Sequence, residues 1–346
     1  MKKIFLFGML GCMALSIQAK VLRVSNVTGS NAPYTTYADA EAAAEEGDTI
    51  VFEGSNDSYQ VDSIQKRLVL VGPGYWMTEN GIVNEGGTSA KIINNGALPI
   101  VVCNEGTVLQ GLDISDWIYL IASKCIITRS LVRSEIAVNK RAVGTVIHQN
   151  CLNGTYSGVY GCDTVYYDRQ FGNCSVGNKG VAQYASITNN VISRKNSYGS
   201  VFERLDNSYI AYNTFWAQEE YYVEYCFRMI DVTNSNFEYN FIPYTKNQPN
   251  FYKKLDDSNM YGDDQTYFVN DTNEQVFPKD SIYTTDLNVM VAELKATDGK
   301  HGAFAGTDPY VISGVPAGPV IEDVTMPVSV EQGKPLEVTV KVKIQQ

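Results

Sequence analysis

Ile187-Thr188-Asn189-Asn190-Val191-Ile192, Ile210-Ala211-Tyr212-Asn213-Thr214-Phe215 and Phe237-Glu238-Tyr239-Asn240-Phe241-Ile242 repeat one pattern. An apolar anchor is followed three positions later by Asn and five positions later by another apolar residue. Working outward, seven segments share the spacing, with a mostly polar residue at +3 and a mostly apolar one at +5, anchored at Leu109, Ile127, Ile147, Tyr167, Ile187, Ile210 and Phe237. The +3 residues are Leu112, Ser130, Asn150, Gln170, Asn190, Asn213 and Asn240. The +5 residues are Ile114, Val132, Leu152, Gly172, Ile192, Phe215 and Ile242. The anchors are 18, 20, 20, 20, 23 and 27 residues apart, a period that marks a solenoid.

The +3 ladder indicates which solenoid. Asn tolerates a left-handed backbone and so suits a sharp bend between strands. One Asn per coil at the same bend stacks amide on amide at the strand spacing of ~4.8 Å. The residues two before the anchors (Thr107, Cys125, Thr145, Val165, Ala185, Ser208 and Ser235) are small or apolar, as a narrow tube requires. A leucine-rich repeat would need Leu at several fixed positions per coil, and these coils lack them. No six-residue period appears. The pattern predicts an all-β right-handed parallel β-helix of about ten coils, with Asn150, Asn190, Asn213 and Asn240 stacked at one bend.

The chain here resembles the pectate-lyase-like, right-handed parallel β-helix superfamily of exported bacterial proteins. The opening carries the resemblance further. Ala-rich Tyr37 to Ala44 reads as a short helix, Gly47-Asp48-Thr49-Ile50-Val51-Phe52 as a turn and strand, and Lys66 to Gly74 as the next strand and turn. The resemblance spans roughly residues 35–250 and implies that the helix caps the open end of the tube. It is specific for fold and says little about activity, because the superfamily holds lyases, hydrolases, epimerases and non-enzymatic adhesins.

Residues 1–19 read as a signal peptide. Lys2 and Lys3 precede a largely apolar run from Ile4 to Ile17, and Ala19 is a small residue at the cleavage point. The run is too short to span a bilayer, and no other segment qualifies. Cys12, in Met9-Leu10-Gly11-Cys12, offers lipid anchoring as the alternative. The expected location is secreted, periplasmic or on the cell surface of a bacterium. Residues 20–305 form the β-helix, with an irregular acidic excursion at 245–305. Residues 306–346 form a linker and a C-terminal β-hairpin, in which alternating Val338, Val340 and Val342 should pack against the tube.

The net charge is 27 − 38 = −11, and removing two lysines with the signal gives −13. An acidic chain lacks the basic face that nucleic acid requires. Six cysteines remain after cleavage, without metal-binding spacing. Export permits disulfides, and Cys151 and Cys174 lie about one coil apart, but free buried thiols fit a tube interior better. No cofactor is expected. The adjacent acidic pairs Asp256/Asp257 and Asp263/Asp264 would suit calcium if they bind anything.

The resemblance implies that a substrate would lie along one parallel sheet, about nine residues before the anchors. Inward alternation there reads Ile100/Val102, Ile118/Leu120, Ile136/Val138 and Phe227/Met229. The outward column is then Val101, Tyr119, Asn139, Tyr160, Lys179, Arg204 and Arg228. A face passing from apolar to tyrosine to basic would suit an acidic sugar, with Tyr for stacking and Lys or Arg as base. Tyr119, Asn139, Tyr160, Lys179, Arg204 and Arg228 are therefore the candidate substrate-binding residues, and no catalytic residue is assigned. The NTD, DD, GHG and RIK pattern of polygalacturonase-like hydrolases is absent, as is the calcium-binding Asp cluster of pectate lyases. If the chain is an enzyme, a polysaccharide lyase fits better than a glycoside hydrolase. Two functions follow: a monomeric binder, with possible cleavage, of a carbohydrate polymer, or a non-catalytic adhesin-like scaffold.

Overall fold

The computed structural model describes residues 19–77, 88–94, 98–154, 157–163, 165–168, 173–176, 180–194, 200–217, 228–242, 258–261, 295–296, 298–316, 318–325 and 338–345. The chain is all-β, and most strands are parallel, in three sheets that it visits in turn. One circuit runs from Ile126–Thr128 in the first sheet to Leu131–Val132 in the second and Glu135–Asn139 in the third. It returns to the first sheet at Val146–His148. This arrangement is consistent with a parallel β-helix.

Registers follow the apolar pattern. In the first sheet Leu22, Ile50, Leu70, Leu109, Ile127, Ile147, Ile187, Ile210 and Phe237 form one inward column. In the third, Ile100, Ile118, Ile136, Val159, Phe202 and Met229 do the same. The expected inward pairs there are buried wherever they are described, with Ile118, Leu120, Ile136 and Val138 at 0% exposure; Phe227 lies outside the described residues. Fully burying one such side chain is worth about 1.5–3 kcal/mol. The column repeats that contribution coil after coil, without one central core.

One of the seven segments is not a coil. Ile147 pairs directly with Ile187, and Tyr167 lies in an antiparallel pair, Val165–Asp168 against Asn173–Val176. That pair is part of an insertion leaving the third sheet after Cys162 and returning at Ala182–Gln183. The gap from 147 to 187 is twice the period, so a residue at its midpoint matched the pattern without occupying a rung. Gln170 and Gly172 lie outside the described residues.

The Asn ladder forms and runs one rung further than expected. Asn150, Asn190, Asn213 and Asn240 are fully buried, and Asn259 follows at 5% exposure. Each Asn Oδ1 accepts the backbone N–H of the preceding rung: Asn190 from Asn150 at 2.9 Å, Asn213 from Asn190 at 3.1 Å, Asn240 from Asn213 at 2.9 Å and Asn259 from Asn240 at 3.0 Å. Each Nδ2 donates to an anchor carbonyl of an earlier coil, as Asn190 does to Ile147 at 2.9 Å. The left-handed backbone falls one residue earlier than the sequence suggested. Arg129, Gln149, Asn189, Tyr212 and Tyr239 have φ of 50 to 56°. The ladder Asn therefore serves by its amide, not by its backbone.

The expected helix spans Tyr37–Ala43. Thr36 Oγ1 accepts the Asp39 N–H at its start, and Lys66 Nζ donates to the Glu41 and Ala44 carbonyls at its end. Tyr37 and Ala40 are buried, and the Tyr37 ring stacks on Phe52 at 6.1 Å. At the other end of the chain, Gly318–Thr325 and Thr339–Gln345 form the expected antiparallel pair. Val338 and Val340 do not find the apolar cover the sequence suggested, being 47% and 46% exposed; the Val342 side chain lies outside what is described.

A different segment packs on the tube. Residues 298–316 run along the bend from the first sheet to the second, where the Asn ladder lies, coil by coil, against the order of the stack. Gly302 N–H donates to the Tyr239 carbonyl at 2.9 Å, and Ala303 N–H to Thr214 Oγ1 at 2.9 Å. Asn189 Nδ2 donates to the Ala303 and Ala305 carbonyls at 3.1 and 2.8 Å. Gln149 Nε2 donates to Asp308 Oδ1 at 2.7 Å and to the Pro309 carbonyl at 2.6 Å. Arg129 Nη1 donates to the Val315 carbonyl at 3.2 Å, and Tyr75 N–H to the Ser313 carbonyl at 2.8 Å. A second buried cluster fills the seam, with Tyr75, Leu131, Cys151, Val191, Phe241, Ala303 and Tyr310. Gly302 has φ +81°, and a Cβ there would lie 2.6 Å from Thr214 Oγ1, so this close approach needs glycine.

Candidate functional site

The strands of the third sheet hold the candidate residues that are described. Strand register aligns Ser63, Val101, Tyr119, Ala137, Tyr160, Glu203 and Ile230 in one column. Tyr119 and Tyr160 are therefore on the expected line. Asn139 lies two residues beyond Ala137, opposite Cys162. Its amide still reaches the column, donating to the Tyr119 hydroxyl at 2.7 Å. Arg204 is displaced by one residue. It has φ 52°, and the pairing resumes with Leu205 opposite Ala182. The register to the next strand is unchanged across it, with Glu203 opposite Ile230 and Leu205 opposite Val232, and Asp231 there also has φ 52°; this shared left-handed bend resets the alternation on which the outward reading depended. Arg228 lies opposite Ser200, two positions before Ile230, and nothing is described of its side chain. Lys179 lies outside the described residues.

The residues brought together satisfy one another. The Asn139 amide donates to the Asp163 carbonyl at 2.6 Å, and the Tyr119 hydroxyl donates to the same carbonyl at 3.4 Å. Lys140 Nζ sits 2.5 Å from Asp163 Oδ1, with the two side chains 50% and 33% exposed. Asp163 opens the insertion, so this cluster fastens the base of the insertion to the sheet. Tyr160, 7% exposed, donates its hydroxyl to the Ser200 carbonyl at 2.6 Å. Arg204 pairs with Glu203 at 2.7 Å and donates from Nε to the Gly161 carbonyl at 2.8 Å. Both side chains of that pair are about four-fifths buried. Burial raises the Tyr119 hydroxyl above its ordinary pKa, against the amide of Asn139, so it stays protonated near neutrality.

Lys140 and Asp163 are the parts that the sequence reading did not assign, whereas Glu203 is legible in the sequence as an acidic neighbour able to neutralise the column, and it pairs with Arg204. Lys140 follows Asn139 directly, so strand register was the missing information. Among the described residues, chemistry elsewhere is also limited. Cys103, Cys125, Cys151 and Cys162 are free thiols. Burial pushes Cys125 up to about 11, and Cys151 and Cys162 up to about 12, so none supplies a thiolate. For Cys174 only the backbone is described, opposite Tyr167, and Cys226 lies outside the described residues.

His148, one residue after an anchor, is held rather than free. Its Nε2 is 2.8 Å from Asp308 Oδ2 and its Nδ1 is 2.9 Å from Thr188 Oγ1, which makes it a fastening of the C-terminal segment. His301 Nδ1 pairs with Asp298 Oδ2 at 2.5 Å. Among the described residues no group of three or more His, Cys, Asp or Glu is arranged to hold a metal. The acidic pairs Asp256/Asp257 and Asp263/Asp264 lie outside the described residues. No described helix is long and apolar enough to cross a membrane. Comparison with protein-family models, with curated proteins and with solved structures finds no match to this chain.

Proposed function

We propose that the chain is an exported, right-handed parallel β-helix of the pectate-lyase-like kind that works as a non-catalytic, adhesin-like surface scaffold. One observation carries this reading: the described residues of the candidate face are spent on one another. A basic column meant for an acidic sugar should keep its cations open to solvent. Arg204 instead closes onto Glu203 and the Gly161 carbonyl, with only 20% of its side chain exposed. The Tyr160 ring is almost fully covered, which removes it as a stacking platform. The alternating exposed and buried columns, repeated over many coils, provide length and rigidity, and among the described residues no constellation for proton transfer accompanies them.

A second reading, binding of a carbohydrate polymer, is favoured by the exposed end of the same face. Tyr119 is only partly buried, and Lys140 beside it is half exposed. An aromatic ring next to an ammonium suits a uronic acid. The two readings separate in one experiment. The protein is incubated with uronate polymers while the ultraviolet absorbance of the unsaturated product is followed, and its retention on immobilised polyuronate is compared with that of Lys140→Ala. The scaffold reading expects no product and the same low retention for both proteins. Product formation would overturn it, and weaker retention of Lys140→Ala would establish the second reading.

A further inference from the structure

Lys20 joins a feature of the sequence to a feature of the fold. The expected secretion signal ends at Ala19, and the first strand, Val21–Val24, opens one residue after Lys20. The main-chain nitrogen of Lys20 donates to Asp48 Oδ1 at 2.7 Å. Asp48 is 1% exposed, and its Oδ2 accepts the Glu45 N–H at 2.8 Å. The Lys20 carbonyl accepts the Thr49 N–H at 2.8 Å, in register with the strand pairing that follows, so the position of residue 20 is set by what comes after it.

The cations near Asp48, Lys20 and Lys66, act on it only at a distance, because each ammonium is bonded elsewhere. The Lys20 side chain turns to Glu45, 2.7 Å away, and both are more than half exposed. Lys66 Nζ is spent on the carbonyls of the short helix. Burial by itself would push the Asp48 carboxyl up, but the Glu45 and Lys20 N–H groups, with the charges of Lys20 and Lys66, hold it below its ordinary value. A buried carboxylate is thus held by two neutral amides, one belonging to the residue at the expected cleavage point.

We propose that signal peptidase cuts the Ala19–Lys20 bond, and that the α-ammonium released at Lys20 forms a buried ion pair with Asp48 that only the processed chain can make. The proposal rests on the secretion reading. In the cut, water adds to the Ala19 carbonyl carbon, the C–N bond breaks, and Ala19 leaves with a free carboxylate. The Lys20 nitrogen leaves as an amine and is protonated near neutral pH. One neutral N–H becomes a cationic group with three donors at the same position. A charge-assisted hydrogen bond is roughly twice as strong as a neutral one. Processing would then tighten the first strand, which is an edge strand of its sheet.

The test exports the full chain from a bacterial host and reads its N-terminus by intact mass. The processed protein is then compared by melting temperature with the same chain carrying one alanine before Lys20, each with Asp48 and with Asp48→Asn. The expected terminus is Lys20. The added alanine should lower melting by roughly 2–4 °C when Asp48 is present and by nothing measurable in Asp48→Asn. If Asp48→Asn does not fold, the comparison with Asp48 intact decides by itself. A Lys20 terminus with equal melting of the processed and extended proteins overturns the ion pair alone. An uncut chain, or a lipidated terminus at Cys12, overturns the secretion reading and the proposal with it.

Discussion

At the bend from the first sheet to the second, the left-handed residues are Gly111, Arg129, Gln149, Asn189, Tyr212 and Tyr239. At the bend from the third sheet back to the first, they are Gly106, Lys124, Gly144, Tyr184, Asn207 and Asn234. The backbone device is the same, and the residue that follows points inward in both. What differs is the inward side chain. The first bend has Ser130 and a run of Asn; the second has Thr107, Cys125, Thr145, Ala185 and Ser208. An amide can accept from one coil and donate to another, and the Asn run uses both ends. The hydroxyls reach less. Ser208 Oγ accepts the Ala185 N–H at 3.1 Å, while Thr107 Oγ1 and Thr145 Oγ1 are buried with no partner among the described residues. The outer residues diverge as well. Arg129, Gln149 and Asn189 are buried under residues 298–316, whereas Tyr184 is 57% exposed. The lesson is that one bend geometry serves either as a polar spine or as a plain corner, depending on whether its side chains can bond in both directions along the stack.

The largest expected effect breaks the spine. Asn190→Leu removes the acceptor of the Asn150 N–H and of the Asn150 amide, and the donor to the Ile147 carbonyl. Each buried group left unpaired costs about 1–3 kcal/mol, so the total loss should be roughly 3 kcal/mol or more. Urea unfolding would measure it. A loss below about 1 kcal/mol would mean that the amide ladder does not distinguish the two bends energetically.

Much of the spine was legible because its rule is local. An apolar anchor with Asn three positions on can be read without knowing which strands pair. Asn259 escaped because the residue three before it is Asp256, so its rung has no apolar anchor. Tyr167 entered falsely because an insertion happened to put an aromatic residue at the midpoint of a doubled period. The candidate face was less legible, since outward position depends on counting by twos, and the left-handed backbone at Arg204 breaks the count. The covering segment was not legible at all. Its fastenings, Gln149 and Asn189, look like ordinary polar turn residues, and their partners on it are 114 to 160 positions away.

A smaller effect should come from separating the spine from its cover. Asn189 must keep a left-handed backbone, so Asn189→Gly removes the side chain without adding strain. It leaves the Ala303 and Ala305 carbonyls without their amide donor, for a cost of roughly 1–2 kcal/mol. Hydrogen exchange should show the Gly302, Ala303 and Tyr310 amides losing protection, while the Asn150 and Asn213 amides keep theirs. Equal loss at both sets would show that cover and spine open as one unit, and that the first bend owes its burial to the ladder itself.

The smallest effect is expected at the plain corner, and there the sign is the informative part. Thr145 is fully buried, and its hydroxyl finds no partner among the described residues. Its neighbours along the corner, Cys125 and Ala185, are nearly or wholly apolar. Thr145→Val replaces the hydroxyl by a methyl group of similar size. It removes the desolvation cost of an unpaired polar group and breaks no bond. The change should therefore be neutral or stabilising by up to about 1 kcal/mol, in contrast to the loss for an Asn on the spine. Thermal unfolding of Thr145→Val beside Asn190→Leu puts the two corners on one scale. If Thr145→Val destabilises by more than about 1 kcal/mol, its hydroxyl is bonded in solution. Both bends would then be polar spines, and the contrast between them would rest on the covering segment alone.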